Sequence, residues 1–96
     1  MSTRITLEKL DKRHNLHEFF THRTWQTDKD QVPEWVKMRN WLWENYGPGL
    51  EYETVWITQY HPEFKIQWAW RVEDQVYYLY LKDEILTHFS LKFLNT

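Results

Sequence analysis

The sequence predicts a single small α+β domain: an antiparallel sheet of four to six strands, one main helix over 32–46 on one face, and a short helix near 83–88. Three observations predict it. Stretches 51–60, 64–72 and 75–82 alternate apolar and polar residues with a period of two. VPEWVKMRNWLWENY (32–46) carries helix entry and exit signals. The chain has 96 residues, enough for one modest core, and seven Trp, six Tyr and five Phe to build it, against only two Gly and three Pro.

From the N-terminus, TRITLEKL (3–10) sets Ile5 and Leu7 against Arg4, Thr6 and Glu8 and reads as a strand. DKRHN (11–15) is a polar turn. LHEFFTHRTWQT (16–27) carries two signals. Asn15 with Glu18 three residues on resembles a capping box, whereas alternation of Phe19, Thr21, Arg23 and Trp25 fits a strand, which is the preferred reading. TDKDQ (27–31) is a loop.

In the main helix Pro33 suits a first turn, Glu34 suits its dipole, and Gly47-Pro48 closes it with a left-handed cap. On a helical wheel Met38, Leu42, Trp35, Tyr46, Val32, Trp43 and Val36 share one broad apolar arc. Trp41 points about 200° away from Trp43 and leaves that arc. It lies either under the N-terminal segment or in a partner. Arg39, inside the arc, is expected to extend to Glu51 or Glu53.

HPE (61–63) and Glu73-Asp74 are expected turns between the C-terminal strands. DEILTHFSLKF (83–93) starts as a helix, and its FSLKF end alternates, predicting a last strand near 89–94. Pairing Val72 with Gln75 and Tyr60 with Lys65 sorts three strands into two faces. Val55, Ile57, Gln59, Phe64, Ile66, Trp68, Trp70, Tyr77, Leu79 and Leu81 form a strongly apolar face for the main helix to cover. Trp56, Tyr60, Tyr78 and Tyr80 lie on the other, among Lys65, Arg71 and Lys82, with no acidic residue in that register.

The chemistry is sparse. With no Cys there is neither a disulfide framework nor thiolate chemistry. Ser2 and Ser90 are the only serines, neither on a Gly-flanked turn. Gly47-Pro48-Gly49 follows a helix and reads as a cap, not as a phosphate cradle. His14, His17 and His22 with Glu18 lack a further strong ligand for a metal, so neither a metal nor a cofactor is expected. Asp83-Glu84 and Glu73-Asp74 suit a helix start and a turn better than general acid–base work, and no enzyme is expected.

No apolar run approaches the roughly 20 residues of a membrane span, and MSTRITLEKLDKRH lacks a secretory apolar region, so a cytoplasmic protein without membrane contact is expected. Net charge is −2, and no Lys or Arg falls between Arg39 and Lys65, which speaks against a polycation built for duplex DNA.

Trp41, Trp56, Tyr60, Lys65, Arg71, Tyr78, Tyr80 and Lys82 are therefore the candidate partner-binding residues. Rings with interleaved cations suit a protein interface, and they also suit a single-stranded nucleic-acid platform. Cover by the N-terminal strands or by a second copy, as in a homodimer or an oligomeric virion component, is the competing reading.

RNWLWENYGPG (39–49) and YLYLKDEILTHFSLKF (78–93) resemble a pattern in small tailed-bacteriophage proteins: an R-x-W-x-W helix ending at Gly-Pro, and a Tyr-rich strand running through an acidic helix start into a final F-x-L-[KR]-[FW] strand. The resemblance covers about a third of the chain and carries no catalytic residues. It implies an accessory protein in the host cytoplasm that binds a host or phage macromolecule, as an inhibitor or assembly factor.

Overall fold

The computed structural model describes residues 6–26, 32–52, 54–55 and 66–94. They form a five-stranded mixed sheet and two helices, the α+β architecture expected. In chain order the elements are β1 (Thr6–Lys9), β2 (His22–Gln26), α1 (Val32–Tyr46), β3 (Leu50–Glu51), β4 (Trp68–Glu73), β5 (Val76–Leu81) and α2 (Asp83–Phe89). A π-helical segment, Ser90–Leu94, follows α2. The sheet order is β1-β2-β5-β4-β3. All neighbours are antiparallel except β3, which runs parallel to β4.

The β4–β5 hairpin pairs Val72 with Tyr77 and Glu73 with Val76, two residues away from the expected Val72–Gln75 register. An even shift leaves each side chain on its expected face. The turn is Asp74-Gln75, with φ of 49° and 68°. Two consecutive positive φ values match the twist of the flanking strands, which is why a turn without glycine still forms here. Because Glu73 is thereby a strand residue opposite Val76, the second face gains an acidic group that was not expected on it.

The first face is covered by both helices. Trp35, Met38 and Leu42 of α1 meet Trp68, Leu79 and Leu81 of the sheet and Ile85 and Phe89 of α2. Gly47, at φ 82°, closes α1 as expected, its N–H donating to Trp43 O at 2.9 Å. Trp68 Nε1 then donates to Gly47 O at 2.8 Å and ties the cap to the sheet.

Three expectations are corrected. Residues 89–94 do not form a last strand; the helix continues. Phe89 and Phe93, four residues apart, both pack on Trp41, while Leu91 between them is 63% exposed. A strand would have put all three on one side. Residues 16–19 are turns, and only His22–Gln26 of that stretch is strand. The stretch 51–60 does not give a long antiparallel strand where it is described: pairing stops at Glu51 and a tight turn takes residues 52, 54 and 55. The expected Tyr60–Lys65 pairing lies outside the described residues.

The second face has its own core. Leu10, Leu16 and Phe20 from the 10–20 segment, with Val55 and Ile66, pack on Ala69 and Tyr80. Val55 and Ile66 thus sit opposite their expected face, because neither is in a strand where alternation would fix its direction. Leu16 holds φ at 68° with its side chain fully buried, and its carbonyl accepts from the N–H groups of Phe19 and Phe20 at 3.0 Å each. The 10–20 segment is therefore a compact cap over half of the face.

Candidate functional site

Strand pairing places Thr6, Glu8, Arg23, Trp25, Val76 and Tyr78 side by side on the second face, beyond the edge of the cap. With Leu7 they line an open cleft of about 440 Å³. Alternation in HRTWQ aims Arg23 and Trp25 at this face, since they pair with Tyr80 and Tyr78.

Arg23 organises the cleft. Its Nε donates to Glu8 Oε2 at 2.7 Å, and its guanidinium lies 4.8 Å from the Tyr78 ring centre. Burial alone would lower the Arg23 pKa, but the influence of Glu8 and of the Tyr80 hydroxyl raises it overall. Burial likewise pushes Glu8 up, yet hydrogen bonds from Arg23 and His14 outweigh it and hold the carboxyl below its usual range. Burial keeps the Tyr80 phenol above its ordinary value, with Arg23 opposing. The cleft therefore presents aromatic walls around a cation that is already paired with an anion.

A second, smaller hollow of about 160 Å³ lies at the other end of the face, between Tyr52, Arg71 and Glu73. Arg71 stacks over Tyr52, 4.4 Å from the ring centre, and pairs with Glu73. Tyr52 in turn contacts Tyr80 at 5.6 Å, and Tyr80 stacks with Tyr78 at 6.5 Å, so rings link the two hollows.

Of the eight residues expected to form a partner site, the structure gathers Arg71, Tyr78 and Tyr80 on one face. Tyr80 is 1% exposed beneath Phe20, at 6.1 Å between ring centres, and offers a partner no ring. Lys82 follows β5 at the start of α2. Trp56, Tyr60 and Lys65 lie outside the described residues.

Trp41 belongs to the opposite face. It packs edge-on against His88, Phe89 and Phe93, with ring centres at 4.6, 6.1 and 5.5 Å. Its ring neighbours among the described residues all lie on α1 and the C-terminal helical segments, and its ring is half-buried there. Trp43, assigned to the core arc, is instead 56% exposed. Arg39 lies over the Trp35 ring at 5.2 Å, and Glu53, one of its two expected partners, lies outside the described residues.

Glu8, Arg23 and Trp25 were missed as site residues. Their alternation was visible, but nothing local says that β2 inserts between β1 and β5.

The histidines diverge. His14 turns to Glu8 and Asp11, His17 Nδ1 meets His14 O at 2.9 Å, and His22 faces Thr21 and Asp83. Among the described residues no group of three or more His, Asp and Glu could hold a metal ion. Thr21, His22 and Asp83 combine the residue types of a nucleophile relay, but His22 Nδ1 alone faces both partners, Thr21 Oγ1 at 3.1 Å and Asp83 Oδ1 at 3.5 Å. A relay uses both ring nitrogens. Thr21 Oγ1 also donates to Asp83 Oδ1 at 2.9 Å, which ties β2 to the first turn of α2.

No family model, curated protein or solved structure matches the chain. No helix among the described residues is long and apolar enough to cross a membrane.

Proposed function

We propose that the chain is a non-enzymatic binding protein that captures a protein partner stoichiometrically, as an inhibitor or assembly factor, through the uncovered half of its second sheet face. The observation that carries this reading is the cleft itself: half-buried Trp25, Tyr78 and Val76 line it around an internally paired Arg23–Glu8. Aromatic anchors with few torsions to freeze suit protein interfaces. Single-stranded nucleic acid asks for free cations among the rings. Here Arg23 and Arg71 are each matched by a carboxylate, Glu8 and Glu73, which favours the protein reading.

The proposed setting is a phage-type accessory protein in a host cytoplasm, on the resemblance at 39–49 and 78–93. The final strand of that pattern is helical in this chain, so the likeness supports the setting through its α1 end and its Tyr-rich strand.

The test is affinity capture from nuclease-treated bacterial lysate with the wild type, Trp25→Ala, Thr6→Arg and Trp43→Ala. Wild type and Trp43→Ala should retain one protein in a saturable ratio, and the two cleft variants should reduce it about tenfold or more. Equal capture by all four, with normal folding, would remove the cleft from the reading. Intrinsic fluorescence quenched by oligonucleotides at low salt and restored at high salt would favour nucleic acid instead.

A further inference from the structure

The 10–20 cap is fastened to the sheet by one imidazole between two carboxylates. His14 Nε2 lies 2.8 Å from Glu8 Oε1 on β1, and His14 Nδ1 lies 3.1 Å from Asp11 Oδ1 within the cap. The His14 side chain is only 14% exposed. Both carboxylates are held ionised from behind: Glu8 by Arg23, and Asp11 by Arg13, whose Nε and Nη2 donate to it at 3.2 and 2.9 Å. Asp11 is thereby kept far below the usual carboxylate range. His17 approaches only through its own ring nitrogen on the His14 carbonyl.

A neutral imidazole has one N–H. It can donate to Glu8 while its bare Nδ1 accepts the Asp11 N–H at 3.2 Å, but that nitrogen then faces the lone pairs of Asp11 Oδ1. An imidazolium has two N–H groups and donates to both carboxylates at once; the Asp11 N–H then loses its acceptor, so two charge-assisted bonds replace one such bond and one neutral one.

From this geometry we infer that His14 is a pH-operated latch on the cap: protonation fastens residues 10–20 over Tyr80, and deprotonation loosens them. The latch acts through Glu8, the carboxylate that also pairs Arg23 in the cleft, so the state of the cap reaches the open half of the face. The inference concerns the cap itself and does not depend on what the cleft binds.

Amide hydrogen exchange of the full chain tests it. The readouts are the Leu10 N–H, which bonds Thr21 O at 2.8 Å, and the Phe20 N–H, which bonds Leu16 O. After correction for intrinsic exchange, both should be about threefold or more better protected near pH 6 than near pH 8. That ratio should vanish in His14→Gln and persist in His17→Gln. A ratio of one in the wild type, or an unchanged ratio in His14→Gln, overturns the latch. Nitrogen-15 shifts of the wild-type His14 ring give an independent reading should His14→Gln not fold. Two N–H donors near pH 6 support the latch, and a single tautomer at that pH overturns it.

Discussion

The indole of Trp68 lies so close to Gly49 that a Cβ on that glycine would stand 2.6 Å from Trp68 Cδ2 and Cε2. Trp68 is fully buried and its Nε1 is fixed to Gly47 O, so the ring cannot step aside. Gly49→Ala should therefore destabilise the fold by about 2–3 kcal/mol, as overpacking does. Gly47 offers the contrast. Nothing lies within 4 Å of a Cβ there, but φ is 82°. Gly47→Ala should cost only the left-handed backbone strain, about 1–2 kcal/mol. Urea unfolding of both variants checks the order, and equal losses would mean that the ring does yield.

Two buried tryptophans differ in what their nitrogens do. Trp35 is 5% exposed and its Nε1 has no hydrogen-bond partner among the described residues, whereas Trp68 Nε1 donates at 2.8 Å. Trp35→Phe loses packing but removes an unsatisfied donor, and the two effects offset each other to within about 1 kcal/mol. Trp68→Phe loses packing and leaves Gly47 O without its donor, so it should cost about 2 kcal/mol more than Trp35→Phe. Thermal or urea denaturation of the pair would decide it; a Trp35→Phe as damaging as Trp68→Phe would show that the lost area outweighs the freed nitrogen.

The hairpin turn holds Gln75 at φ 68°, a conformation glycine adopts without strain. Asp-Gly is the favoured pair for such a turn. Gln75→Gly should stabilise the fold by about 0.5–1 kcal/mol, after allowing for the extra freedom of glycine in the unfolded chain. A lower urea midpoint would contradict this.

What could be read from the sequence divides by whether a local period was enough. The α1 boundaries at 32 and 46 follow from punctuation and come out as expected. The two faces of β4 and β5 survive a two-residue error in register because side-chain parity is all that matters to them. Phe89, Leu91 and Phe93 show the opposite case. Spacing of two and four residues fits a strand and a helix alike, and only the position of Trp41 selects the helix. The site suffered most, since Tyr80 and Tyr78 share one strand face yet the cap covers the first and leaves the second half-buried. That cover comes from residues about 60 positions away, and no pattern within β5 encodes it.

Trp41 and Trp43 now carry opposite expectations. Trp41 touches Tyr46, His88, Phe89 and Phe93, and Tyr46 OH meets His88 Nδ1 at 2.8 Å beside it. Trp41→Ala should remove about 2–3 kcal/mol by opening the seam between α1 and α2. Trp43→Ala should fall within about 0.5 kcal/mol of wild type, as a surface substitution away from special features does. Chemical denaturation separates them, and a strongly destabilised Trp43→Ala would mean that its exposed ring is covered in solution, for instance by a second copy.

The Glu8–Arg23 pair gives the acid limb of stability its sign. The folded carboxyl of Glu8 sits below its usual range, because the bonds from Arg23 and His14 outweigh burial. A depressed folded value means that the unfolded chain binds the proton more readily, so the stabilisation is present above the unfolded value and is lost as pH falls through the folded one. The pair is partly exposed, and solvent screening limits it to about 0.5–1 kcal/mol. Glu8→Gln should therefore lower the urea midpoint at neutral pH and match the wild type in strong acid, where the native Glu8 is protonated as well. A gap between the two proteins that stays constant from neutral to strongly acidic solution would show that Glu8 contributes through packing alone.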